Sequence, residues 1–152
     1  MKLSKYVAVS GGFDPIHIGH INYLRGAKEL ASSRHCKMMV ILDSQEYLIK
    51  KGKGHPFYPT YQEREELLKA IRYVDIVVPQ IGSSTAKSLE YYKPLIFAKG
   101  GDRSSKDQLP EGEVRICDNL GIEIVFGVGG KDKPQSSSWL IQRTNINNEK
   151  IT

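Results

Sequence analysis

The stretch Tyr6-Val7-Ala8-Val9-Ser10-Gly11-Gly12-Phe13-Asp14-Pro15-Ile16-His17-Ile18-Gly19-His20 decides how the chain is read. Tyr6–Val9 is a short apolar run of strand type, and from Ile18 onward the apolar residues Ile21, Leu24, Ala27 and Ala31 recur at helical spacing. The chain therefore turns from strand to helix inside one glycine-rich segment, and it carries two imidazoles three positions apart at the helix mouth. The N-terminus of a helix offers unpaired N–H groups and the positive end of its dipole, and glycines let an anion approach the backbone closely. The segment is predicted to handle phosphate.

Working outward, strand and helix patterns alternate. Strands are predicted at Tyr6–Val9, Lys37–Leu42, Ile76–Val78, Leu95–Ala98 and Glu123–Phe126, and helices at Ile18–Ser32, Thr60–Arg72, Thr85–Tyr92, Pro110–Leu120 and Ser136–Arg143. A short helical segment follows the second strand. Thr60 with Glu63 forms a capping-box pattern, Pro110 suits a first helical position and Gly121 a helix C-terminus. Such alternation predicts an α/β fold, a Rossmann-like three-layer α/β/α arrangement with a five-stranded parallel sheet and ligands at the carboxyl ends of the strands. One domain is expected over residues 1–143, with a polar C-terminal tail at 144–152.

Bulk composition narrows the classes of function. The 152 residues suit one domain burying about two-thirds of the surface its unfolded form exposes. The net charge of +5 is spread along the chain among 17 acidic residues, so a nucleotide and a phosphorylated substrate account for it without a nucleic-acid partner. Cys36 and Cys117 lie at no metal-binding spacing in apolar surroundings, which predicts reduced buried thiols and a cytoplasmic setting. No run approaches the roughly 20 apolar residues of a membrane span, and the chain enters a strand within a few residues of Met1, so no membrane association is expected.

The pattern Gly11-Gly12-Phe13-Asp14-Pro15 with His17-Ile18-Gly19-His20 resembles the nucleotidyltransferase superfamily, whose members include cytidylyltransferases and ADP-heptose synthases. The resemblance spans nearly the whole chain. It implies that His17 and His20 contact a nucleoside triphosphate, with Gly11, Gly12, Phe13 and Gly19 forming the surrounding nucleotide site. It further implies a homodimer; Mg²⁺, its ligands unassigned, is expected to neutralise the triphosphate, as metals do in phosphoryl transfer generally.

Four further segments carry candidate residues, each with a plainer alternative. Lys50-Lys51-Gly52-Lys53-Gly54 sets ammonium groups among flexible glycines. It is either a solvated basic loop or, as the resemblance implies, a phosphate-contacting segment with Lys51 as its first candidate. Arg72, within Ala70-Ile71-Arg72-Tyr73-Val74-Asp75, matches an arginine that binds the acceptor phosphate in cytidylyltransferases; the alternative is a helix-capping residue paired with Asp75. Lys99-Gly100-Gly101-Asp102 resembles an element of the heptose nucleotidyltransferases, and Asp102 either orients the nucleotide or caps Ser104 and Ser105. Gly127 to Ser138 leads a glycine loop into Ser136, Ser137 and Ser138, a second anion cradle with Lys133 where related cytidylyltransferases carry arginine. It is not a P-loop, since the required spacing is missing and Asp132 follows the Gly-Lys pair. Asp14 either serves the substrate site, holding Mg²⁺ or a water near the phosphates, or simply forms the turn before Pro15.

The expected reaction is nucleotidyl transfer to a small sugar- or polyol-phosphate with release of pyrophosphate. The Ile71-to-Asp75 segment favours CTP, and the Lys99-to-Asp102 segment favours ATP; the balance falls to CTP. The alternatives of another class are a non-catalytic nucleotide-binding module and a fragment of a class I aminoacyl-tRNA synthetase. The second is disfavoured by the absence of a Lys-Met-Ser-Lys-Ser element and of room for an anticodon domain.

Overall fold

The computed structural model describes residues 2–52, 59–101 and 104–130. The strands are β1 (Ser4–Gly11), β2 (Lys37–Leu42), β3 (Ile76–Pro79), β4 (Pro94–Gly100) and β5 (Glu123–Val128). The helices are α1 (Ile18–Ser33), α2 (Gln45–Lys50), α3 (Tyr61–Lys69), α4 (Thr85–Tyr92) and α5 (Glu111–Leu120). All strand pairings are parallel, in the order β3-β2-β1-β4-β5.

Strict alternation along the central strands builds three layers. Val7 and Val9, Met38, Val40 and Leu42, and Ile96 and Ala98 face one side, against Leu24, Ala27 and Ala31 of α1 and Leu68 of α3. Ala8, Met39, Ile41 and Phe97 face the other, against Leu89 of α4 and Cys117 of α5. Both faces of each central strand are thus covered, which is why β1, β2 and β4 read as continuous apolar runs. Full burial of one such side chain contributes about 1.5–3 kcal/mol.

The chain runs from β1 outward through β2 to β3, then crosses back to place β4 on the other side of β1. Connections leaving β1 and β4 diverge, and this opens a crevice at their carboxyl ends where open α/β sheets bind ligands. The glycine-histidine segment sits at that switch point.

Several predicted boundaries are revised. α3 ends at Lys69, three residues before the predicted end at Arg72, because Ile71–Val74 closes a separate turn through the Val74 N–H to the Ile71 carbonyl (3.0 Å). Pro110 is the cap of α5, one position earlier than predicted, and Gly121 ends that helix with φ +75°, a conformation that favours glycine. Thr60 accepts the Glu63 N–H as predicted, but the Glu63 carboxylate accepts the Thr60 hydroxyl in place of the backbone amide. The predicted helix at Ser136–Arg143 lies outside the described residues. Cys36 and Cys117 are buried and unbridged, and burial pushes the Cys117 thiol up to about 12. Among the described residues, no helix is long and apolar enough to cross a membrane.

Asp75 fixes the start of β3. Its carboxylate accepts hydrogen bonds from the Lys28 ammonium on α1 (2.7 Å) and the Met38 amide on β2 (2.7 Å). Burial alone would raise this carboxyl; those two hydrogen bonds, together with the charges of Lys28 and Lys37, outweigh it and hold the group below its ordinary 3.8. A depressed folded value means stability present above the unfolded value and lost as pH falls through the folded one. Asp75→Asn is expected to lower stability near neutral pH by about 1–2 kcal/mol. Urea denaturation across pH is expected to show the variant without the wild type's loss of stability below about pH 4. Identical profiles for the two proteins contradict this.

Candidate active site

At the carboxyl end of β1 the backbone turns sharply through Gly12, Phe13 with φ +52° and a cis Asp14–Pro15 bond, and α1 begins at Ile18. The turn is tightly enclosed. A Cβ on Gly12 would lie 2.5 Å from Asp14 Oδ1 and 2.9 Å from Leu48 Cδ2, so glycine is the residue that lets α2 seat Leu48 on the turn. Phe13 is buried in the core, with its ring 4.8 Å from that of His20. The turn thus presents backbone, not the phenyl ring, to a ligand.

His17 and His20 form a capping box made of imidazoles. His17 is the N-cap, and its Nδ1 accepts the Gly19 N–H (3.1 Å); His20 Nδ1 accepts the His17 N–H (3.2 Å). The rings stack with centroids 3.8 Å apart and 22° between planes. A neutral imidazole that accepts at Nδ1 carries its proton at Nε2. The helix start therefore assigns both side chains the same tautomer, and the pair offers two Nε2–H donors. Donors at the positive end of a helix suit a polyphosphate.

One part of the expected cradle differs. The Gly19 amide is taken by His17, and the His20 amide donates to the His17 carbonyl (3.0 Å). These two amides thus have partners within the chain, and the ring N–H groups are the candidate donors in their place.

The other predicted residues divide by position. Lys51 caps α2, so it stands at the same end of the sheet as the histidines, and its ammonium rests 4.2 Å from the centre of the Tyr47 ring. Asp14 is buried, facing the Arg64 guanidinium electrostatically, which gives the turn-forming reading a physical basis. Lys99 and Gly100 end β4, with the Lys99 ammonium 3.7 Å from Glu113 of α5 and 4.7 Å from the Phe97 ring centre. Asp102, Lys133, Ser136, Ser137 and Ser138, and Lys53 of the lysine segment, lie outside the described residues. The loop leading toward the serines does pack on α1. A Cβ on Gly129 would lie 2.8 Å from the Tyr23 Cα, and one on Gly26 would lie 2.8 Å from the Gly129 nitrogen. Two glycines facing each other bring this loop against the first half of the histidine-bearing helix.

Arg72 is placed elsewhere. It precedes β3, on the amino-end side of the sheet, and donates to the Tyr73 hydroxyl (3.0 Å), which also accepts from Arg25 (3.0 Å). Arg25 lies eight residues along α1 from His17, roughly 12 Å down the helix axis. Within one chain, then, Arg72 does not join the histidines. Nor does it pair with Asp75, which is held by Lys28. The Arg25 hydrogen bond, followed by that from Arg72, pulls the Tyr73 phenol below its ordinary value.

Sequence reasoning missed the buried polar layer beneath the turn. Arg64 of α3 is fully buried, and its Nη1 donates to the Gly12 carbonyl (3.0 Å) and the Asp43 carbonyl (2.9 Å), its Nη2 to Gln45 Oε1 (3.1 Å). Gln80 accepts the Ser44 amide at the start of α2 (2.9 Å). In the run Glu63-Arg64-Glu65-Glu66 nothing local separates a buried arginine from a solvated one. The apolar spacing of Arg64 with Leu68 on α3 was the available signal.

A parallel sheet with a glycine turn and a capped pair of imidazoles at its switch point defines an α/β nucleotide-handling protein. The chain belongs to the cytidylyltransferase-like family, whose model matches residues 8–143. It is 36% identical over 120 residues to the FAD synthase of Pyrococcus abyssi, covering 78% of this chain and 77% of that protein. It is 32% identical over 127 residues to the bifunctional protein HldE of Blochmanniella pennsylvanica, covering 83% of this chain but 23% of that one. Among solved structures, the lipopolysaccharide core biosynthesis protein from Thermoplasma volcanium superimposes with a TM-score of 0.63 at 25% identity, over 80% of this chain and 92% of that chain. The nucleotidyltransferase reading of the sequence agrees with these matches.

His17→Ala and His20→Ala are each expected to lower the rate of nucleotidyl transfer roughly 10²–10³-fold, the scale for losing one preorganised donor. Each is also expected to fold, since losing a cap costs about 1 kcal/mol. Steady-state rates beside circular dichroism check this; wild-type rates from both folded variants contradict it.

Proposed function

We propose that this protein is an adenylyltransferase, joining AMP from ATP to a small phosphate monoester and releasing pyrophosphate. The observation that carries the reading is the imidazole pair, with both Nε2–H donors fixed by backbone hydrogen bonds at the mouth of α1. An acceptor phosphate oxygen attacks the α-phosphorus in line, the new P–O bond forms as the bond to pyrophosphate breaks, and no covalent enzyme intermediate is needed. The phosphate arrives already ionised, so the protein's work is to bring two anions together and to stabilise charge that develops on the α-phosphate and leaving group. His17 and His20 supply neutral donors for that charge, and Lys51 supplies a cation from the facing side.

The sequence motifs alone lean to CTP. ATP is preferred here because FAD contains an AMP unit joined through a pyrophosphate to flavin mononucleotide, and the FAD synthase likeness extends over most of both chains. Flavin mononucleotide is the first acceptor on the same ground. Exposed Ile18 beside His17, and exposed Ile49 on α2, supply apolar surface at this end of the sheet for a flat ring. A heptose 1-phosphate is the second acceptor, favoured by the Lys99-Gly100-Gly101-Asp102 segment. Among the described residues no group of three or more His, Cys, Asp or Glu side chains gathers, so Mg²⁺ is taken to enter as part of the ATP substrate complex. A homodimer with the Arg72 segment at its contact would let that arginine serve a neighbouring site.

Pyrophosphate release is expected with ATP and flavin mononucleotide at kcat/KM at least tenfold above CTP with any acceptor. Turnover with CTP alone overturns the choice of nucleotide. Failure of ATP and CTP with flavin mononucleotide, heptose 1-phosphate and glycerol 3-phosphate overturns the enzyme reading and leaves a nucleotide-binding module.

A further inference from the structure

Arg64 is the largest fully buried side chain, yet its guanidinium meets no ion pair within 4 Å among the described residues. Its hydrogen bonds go to the glycine turn at Gly12, to the end of β2 at Asp43 and to the first residue of α2 at Gln45. The Arg64 backbone belongs to the first turns of α3, capped by Thr60. α2 ends at Lys50 with Lys51 as its C-cap, so this one side chain ties both α2, through its first residue, and α3 to the turn that carries the imidazoles.

A purely structural role explains this poorly. Burying a cation is costly, and an apolar residue of similar volume often packs as well or better. Arg64 also leaves its Nε without a hydrogen-bond partner among the described residues. What an apolar residue does not supply is donors for two carbonyls that leave β1 and β2 where the ladder ends. A guanidinium spans them as a planar fork; a lysine nitrogen is a single point on a flexible stem.

We propose that Arg64 is a positioning residue for nucleotidyl transfer: by clamping the Gly12 carbonyl, the Asp43 carbonyl and Gln45 together, it sets the distance between the imidazole pair and α2, whose C-cap is Lys51. The proposal rests on the adenylyltransferase reading for its kinetic consequence but not for its structural one. Gly12 lies five residues before His17, and the turn between them fixes the angle at which α1 begins. Loosening the clamp frees that turn and weakens the two hydrogen bonds into the Nδ1 atoms.

The experiment compares wild type with Arg64→Lys, with Gln45→Leu at a half-buried position, and with Leu89→Ala on the opposite face of the sheet. Imidazole ¹⁵N resonances of the free protein report tautomers without substrate, and initial rates with Mg·ATP and acceptor report kcat and KM. Arg64→Lys is expected to lose 10- to 100-fold in kcat with KM for ATP within threefold, and its His17 and His20 signals to move from pure Nε2–H toward a tautomer mixture. Gln45→Leu is expected to lose several-fold in kcat in the same direction, and it decides the matter if Arg64→Lys does not fold. Leu89→Ala is expected to lose thermal stability while keeping both tautomers and kcat.

Unchanged kcat and tautomers in Arg64→Lys, or in Gln45→Leu where only that variant folds, overturn the clamp. So does the same tautomer shift in Leu89→Ala, which would trace the effect to lost stability alone. Absence of turnover in the wild type would count against the adenylyltransferase reading instead, leaving the tautomer comparison to judge the clamp.

Discussion

Two hydrogen bonds carry the site: the Gly19 and His17 backbone N–H groups, each donating into an imidazole Nδ1. A helix must satisfy the donors at its start, and here it uses the two imidazoles that are proposed to bind the triphosphate. Capping and the proposed chemistry are therefore one arrangement. Nδ1 accepts a backbone N–H in each ring, so the proton of each neutral imidazole sits on Nε2, and stacking sets the two rings side by side. A carboxylate or hydroxyl in these positions would cap the helix as well, but would not offer this pair of neutral N–H donors.

Everything around the pair serves to hold that helix start in place. β1, covered on both faces and hydrogen-bonded to β2 and β4, fixes where the turn begins. The Tyr23 hydroxyl donates to the Ala98 carbonyl and so ties the first half of α1 to β4. The facing glycines 26 and 129 let the loop after β5 touch the same helix. Beneath the turn, Arg64 satisfies carbonyls that the sheet has left behind. Burial draws its guanidinium below the ordinary value, and Asp14, Asp43 and Tyr61 draw it back.

Much of this was legible in the sequence, because the physics behind it is local. The continuous apolar runs of β1, β2 and β4 and the apolar spacing along α1 depend on which faces are covered, and both appear directly in the order of residues. The glycine-histidine segment was legible as a strand-to-helix turn for the same reason. Its capping role was also there to be read, since positions 17 and 20 have capping-box spacing, although histidine is not the usual residue at either.

What stayed hidden depends on contacts between segments distant in the chain. The burial of Arg64 follows from carbonyls 21 and 52 positions away. The position of Arg72 on the amino-end side of the sheet follows from the direction of β3 and from the turn that ends α3 early, neither of which its own neighbours encode. Nucleotide choice is set by the groups that would touch the base, and the segments that carry most of the remaining candidates contribute little local pattern.

The most direct measurement is a crystal structure with a non-hydrolysable ATP analogue and Mg²⁺. It is predicted to show Nε2 of both His17 and His20 within hydrogen-bond distance, about 2.7–3.2 Å, of polyphosphate oxygens. A triphosphate bound away from both rings, or either ring turned to present Nδ1, would contradict the account.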